Sequence, residues 1–140
     1  MREAELVGAW ALVDFWIRFD DGRPAQAGFG PGATGWLLYS DSGRMSALLS
    51  RAQRPALSIP RLESAQRAPA AEKAQAFDDY LSYAGSWRLD GDEVVHEVSE
   101  ALVPNIVGLA QRRRASLSGD LLTLSYRGGP KLYTLRWRRA

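Results

Sequence analysis

Short runs of alternating apolar and polar residues, cut at regular intervals by Gly, Asp, Ser and Pro, constrain this chain more than any other feature. Successive side chains of a strand point to opposite faces, so such alternation predicts half-buried strands, and the interruptions predict tight turns. The first run is LVGAWALVDFWIRF, closed by DDGRP. WLLYS and MSALLS flank DSGR, where Asp and Gly suit a hairpin turn. SWRL and EVVHEVSEAL flank Asp90-Gly91-Asp92, VGLAQRRRASL and LLTLSY flank Ser118-Gly119-Asp120, and LYTLRWRR follows Gly128-Gly129-Pro130. About eight strands are expected. Up-and-down strands with tight turns favour closure into an antiparallel barrel, because closure leaves no unpaired edge.

Two stretches break the pattern. AGFGPGATG is too rich in glycine for regular structure, and residues 51–69, with three prolines, read as a loop long enough to form a lid. One flanking helix is expected over residues 70–84. Pro69 suits its start, Gly85 suits its C-terminal cap, and Ala74, Phe77, Leu81 and Ala84 form an apolar stripe. An α+β cone, the rival small cup fold, needs several N-terminal helices, and the run from Val7 to Ile17 alternates too well for one.

With 140 residues, 46 % of them hydrophobic, the chain is expected to be one domain, residues 1–140, with one core. It has no cysteine and one histidine, which leaves no disulfide framework, no thiolate nucleophile and too few soft ligands for a transition metal. No metal and no cofactor are expected. MREAELVGAW lacks the apolar segment of a secretion signal, and no long apolar run follows, so a soluble cytoplasmic protein without a membrane partner is expected. Sixteen arginines against two lysines, with abundant alanine, hint at a high-GC bacterial source.

Charge is unevenly spread. Residues 1–111 hold 10 basic and 15 acidic side chains, whereas residues 112–140 hold 8 and 1. The late arginines alternate with Leu, Tyr and Trp in KLYTLRWRR, which is the polar face of a strand and not a nucleic-acid surface. Nucleic acid is therefore not an expected partner. A small-molecule ligand is, and a homodimer stays open.

Gly8-Ala9-Trp10 forms a G-x-W at the entry to the first strand, the signature with which lipocalins begin. More of the chain resembles the bacterial lipocalin-like domain family: LVGAWAL, GWLLYSDSGRMSALLSR, AEKAQAFDDYLSYAGSWRLDGDEVVHEV, PNIVGLAQRRR, LTL and YTLRW follow in its order. The resemblance implies a calycin-like small-ligand barrel, with Trp10 closing the floor and often an arginine stacked on it. The second lipocalin motif, late in the barrel, is not recognisable. Fold likeness alone assigns no activity, because such barrels carry many unrelated ones.

A barrel of this size holds one small ligand, and its inward residues alternate with outward ones. Strict alternation puts His96, Val98 and Glu100 on one face, and the more polar Glu97 and Ser99 on the other, so His96 is expected in the lumen. Gln111 and Arg113 share a face with Ala115 and Leu117, whereas Arg112 and Arg114 read as solvated. Tyr83, at the expected helix end, and Asn105, after Pro104, would close over the same region. Asp14 shares parity with Trp10 and Trp16, although Val13 and Phe15 make the opposite face equally apolar, and Trp10, Trp16, Trp36 and Tyr39 fall where a ligand could stack. His96 is open to three readings: a wall residue bonded by Glu or Tyr, a ligand-gripping group, or an acid–base group. Arg113 either pairs with Glu97 or Glu100 or meets an anionic or carbonyl ligand group.

No other catalytic pattern survives. Ser42 and Ser46 lack a nucleophile elbow, GFGPGATG lacks the Lys-Ser/Thr of a phosphate loop, Asp78 and Asp79 read as solvated, and DGDE is a turn too short for calcium. Two versions of function follow. In the first, the lumen binds one small, largely apolar, oxygen-bearing molecule, plausibly a natural-product or aromatic metabolite. In the second, the same lumen is a cofactor-free isomerase, cyclase or dehydratase, with His96 moving the proton while Arg113 and Gln111 stabilise an oxyanion. Binding is preferred, because no paired acid and base is visible.

Overall fold

The alternating runs become strands, and the strands close. The computed structural model describes residues 1–140. In chain order the strands are β1 (Gly8–Phe19), β2 (Gln26–Ala27), β3 (Thr34–Tyr39), β4 (Arg44–Ser50), β5 (Tyr80–Asp90), β6 (Glu93–Ala101), β7 (Ala110–Ser118), β8 (Leu121–Gly128) and β9 (Lys131–Arg139). Each pairs antiparallel with its neighbour, and β1 pairs with β9 to complete an eight-stranded barrel; the two-residue β2 is an extra strand on the far half of β1. No helix is long and apolar enough to cross a membrane.

The floor is built at the start of β1. Helix α1 (Glu3–Leu6) lies just before it, and Trp10, 0 % exposed, donates its indole N–H to Leu6 O at 2.8 Å. The Arg139 guanidinium sits 4.2 Å from the centre of the Trp10 ring and donates to Val7 O, so the last strand is locked to the first. This is the stacked Trp–Arg floor that the resemblance implies.

Two bulges reverse the side-chain parity within a strand. On β1, Leu12 faces Trp137 and Asp14 faces Arg136, so Val13 is an extra residue. On β6, Glu100 faces Ala84 and Val98 faces Gly85, so Ser99 is extra. Beyond each bulge, the residues that strict alternation sends inward point outward.

The helix is shorter than its sequence pattern. Helix α2 spans Ala70–Asp78, and residues 80–84 belong to β5. The pattern misleads because Gly85 is not a helix cap. It is the glycine that the second bulge requires, since a β-carbon there would lie 1.8 Å from Glu97 O. Phe77, assigned to the buried stripe, is 45 % exposed.

Residues 51–69 line no part of the barrel cavity. They run along α2, where Arg54 donates to Ala76 O and Ser58 donates to Glu72. Asp79, expected in solvent, is 5 % exposed and accepts from Arg51 Nε and Gln75 Nε2, both at 2.8 Å. The hydrogen bonds from Gln75 and then Arg51 hold its carboxyl below the usual range. The glycine-rich stretch is equally ordered, with Gly28 N–H bonded to Phe15 O and Gly30 N–H to Ala27 O. It carries Phe29 in the left-handed region, at φ 58°.

The basic segment 112–140 meets the acidic remainder on the outer wall. Arg136 pairs with Asp14, Arg112 with Asp90 and Glu93, Arg114 with Asp92, and Arg127 with Asp20.

Candidate functional site

His96 sits in the barrel interior, 1 % exposed, between two tyrosines. The Tyr39 hydroxyl lies 2.7 Å from Nε2, and the Tyr83 hydroxyl lies 2.7 Å from Nδ1. Tyr39 ends β3 opposite Gly8, at the floor, and its ring packs 4.4 Å from that of Trp87. Tyr83 is on β5, opposite Ala47, and lines a cavity. Burial first, and the nearby Arg113 charge second, push the His96 pKa down to about 3, so the imidazole is neutral near pH 7. Burial also raises the pKa of both tyrosines, most strongly that of Tyr39.

The cavity holds about 210 Å³. Its wall is apolar apart from His96, Arg113 and the hydroxyls of Tyr83 and Tyr126, and it includes Phe15, Phe29, Leu81, Leu124 and Trp137. Arg113 lies over the Tyr126 ring, with 3.8 Å from the guanidinium carbon to the ring centroid. It donates to Arg112 O at 3.0 Å and to Gln111 Oε1 at 3.3 Å. Neither anticipated carboxylate reaches it: Glu97 pairs with Arg88, and Glu100, turned outward by the Ser99 bulge, accepts from Ser99.

His96, Tyr39, Tyr83, Gln111 and Arg113 therefore come together, Tyr83 from a strand and not from a helix end. Four other candidates do not join them. Asp14 and Trp16 face outward because Val13 is inserted, and Asp14 pairs with Arg136. Trp36 shares the outer face of β3 and is 46 % exposed. Asn105 lies exposed in a short turn, Pro104–Ile106, away from the cavity wall.

Trp137, Phe15, Tyr126 and Phe29 line the cavity unforeseen. Parity in KLYTLRWRR, where Tyr133, Leu135 and Trp137 share the inner face, would have found Trp137. Phe29 leaves no such signal, because its place depends on a left-handed backbone. Trp137 adds a polar feature: its buried indole N–H has no acceptor within the protein. A buried donor without a partner costs about 1–3 kcal/mol unless an ordered water meets it.

Comparison with known proteins agrees with this architecture. The model of the lipocalin-like domain family matches residues 7–140. A lipocalin-like protein from Bacteroides uniformis superposes with a TM-score of 0.50 at 15 % identity, covering 97 % of this chain and 99 % of that one. An uncharacterized protein from Bacteroides eggerthii gives a TM-score of 0.49 at 14 % identity over 93 % and 97 % of the two chains. The fluorescent protein UnaG gives 0.45 at 14 % identity, covering 98 % of each chain. No curated protein matches the sequence.

Proposed function

The chain belongs to the lipocalin-like domain family, and we propose that its barrel is a cup for one small, largely apolar, oxygen-bearing molecule. One observation carries this reading: an apolar cavity of about 210 Å³ has Arg113 on its wall with no carboxylate paired to it. A buried apolar cavity of roughly 150 Å³ already accepts benzene, so this one suits about a bicyclic aromatic framework. The apolar wall supplies affinity, and the cation orients an oxygen.

The enzyme version draws less support. A general base works best with a pKa near the working pH, and His96 at about 3 is a weak one. No carboxylate and no second histidine lines the cavity to act as its partner. A titration with 2-naphthoate followed by backbone NMR tests the cup. Shifts concentrated at Phe15, Tyr83, Arg113 and Trp137 are expected. Shifts confined to the outer wall, or none at millimolar probe, would refute it.

A further inference from the structure

The hydrogens around the cavity run in one direction, and we propose that they select a ligand whose polar end only accepts hydrogen bonds. Such an end is a carboxylate or a carbonyl, not an ammonium, and this ligand class rests on the cup reading above. The argument begins at His96. A neutral imidazole has one nitrogen that donates and one that accepts. Of its two tyrosine contacts, one therefore has tyrosine donating and the other has tyrosine accepting.

Tyr39 decides which. Its hydroxyl is buried among apolar side chains, and His96 is its one side-chain partner. If Nε2 carried the proton and donated to Tyr39, the Tyr39 hydrogen would be buried with no acceptor. The opposite arrangement strands no hydrogen at Tyr39: Tyr39 donates to Nε2, Nδ1 carries the proton, and Nδ1–H donates to the Tyr83 oxygen. Tyr83 then has a lone pair occupied and its own hydrogen free, and Tyr83 lines the cavity. Burial keeps the Tyr83 hydroxyl protonated, so it stays a donor.

A second donor shares that wall. Arg113 cannot accept, and it brings a positive charge with no carboxylate to neutralise it. Tyr126 has a hydroxyl that serves either way, so it does not set the direction. The Trp137 indole N–H also has no acceptor, but it is buried within the wall and sets no direction in the cavity. A carboxylate meets Tyr83 and Arg113 with oxygen lone pairs alone. An ammonium would leave the Tyr83 hydrogen and the Arg113 donors unmatched and place a like charge beside Arg113.

Two measurements test this. The chain has one histidine, so the ¹⁵N spectrum of its imidazole is a single pair of signals. A protonated Nδ1 and an unprotonated Nε2 are expected near pH 7; the opposite tautomer, or an imidazolium, would overturn the donor direction. Equilibrium titration with 2-naphthoate, 2-naphthaldehyde, naphthalene and 2-naphthylmethylammonium then reads the ligand class. The acid should bind about tenfold or more tighter than naphthalene, since hydrogen bonds to a charged group are the strong ones, and the ammonium should bind weakest. Tyr83→Phe should narrow the margin between the acid and naphthalene by about threefold or more. Equal affinity for all four probes would overturn the inference while leaving the cup intact. Entry of none of them, naphthalene included, would bring down the cup itself.

Discussion

Arg113 lies over Tyr126, 3.8 Å from guanidinium carbon to ring centroid, and both of its side-chain hydrogen bonds go to uncharged oxygens. A cation held this way keeps most of its charge available to a ligand. Arg113→Met preserves stem volume and removes the charge, so 2-naphthoate should bind about tenfold or more weakly, with little change in thermal midpoint. Arg113→Lys should recover only part, because an ammonium neither stacks flat nor presents a fork. Calorimetric titration reads both, and full affinity in Arg113→Met would take Arg113 out of the site.

His96 makes stability depend on pH in a stated direction. Its pKa falls from 6.5 in the open chain to about 3 in the folded one, so the unfolded state binds more protons between those values. The stabilisation is complete above 6.5 and is lost as pH falls towards 3, by up to roughly 5 kcal/mol at 1.36 kcal/mol per unit. By that slope the barrel should be about 2–3 kcal/mol weaker at about pH 4.5 than at about pH 7.5. Urea melts at the two values check this. His96→Gln should flatten that share of the dependence, and an equally steep variant would show that His96 is not its source.

Gly85→Ala should be among the most damaging single-carbon additions. The new β-carbon would meet Glu97 O at 1.8 Å, a backbone atom that moves only if the β5–β6 bulge is rebuilt. A loss of about 3 kcal/mol or more is expected in denaturant melts. Gly91→Ala, with φ 64° but nothing within 4 Å, should cost only about 1 kcal/mol. Similar costs for the two would show that the bulge yields.

Asp79→Asn separates the loop from the cup. The carboxylate ties Arg51 to the end of α2 and has a lowered pKa, so its contribution is present above the ordinary carboxylate value of 3.8 and fades as pH drops through the lower folded one. The variant should lose about 1–2 kcal/mol at neutral pH. Its affinity for 2-naphthoate should match the parent, because no residue of 51–69 lines the cavity. Weakened binding would restore a lid role to that loop.

The barrel was legible because alternation and turn residues are local signals that recur along the whole chain. Gln111 and Arg113 read correctly as inner residues for the same reason, since β7 has no bulge to disturb its count. Parity fails wherever one residue is inserted. Val13 sends Asp14 and Trp16 outward, and Ser99 sends Glu100 outward, with no composition change to announce either event. Gly85 misread as a helix cap shows the same limit: glycine marks a backbone constraint without saying whether a turn or a close approach imposes it. The two tyrosines around His96 come from β3 and β5, and only the closed barrel brings them to one ring.

The pairing of β1 with β9 has a consequence in time. Of the barrel strands, β1 is made first and its partner β9 after all the others, so until β9 emerges β1 has one long edge unpaired. Neither the Trp10–Arg139 floor nor the wall that carries Trp137 exists until Arg139 has left the exit tunnel. Such long-range closure favours slow folding over stepwise growth. Before β9 pairs with β1 there is an unfinished sheet, and only afterwards a closed cavity.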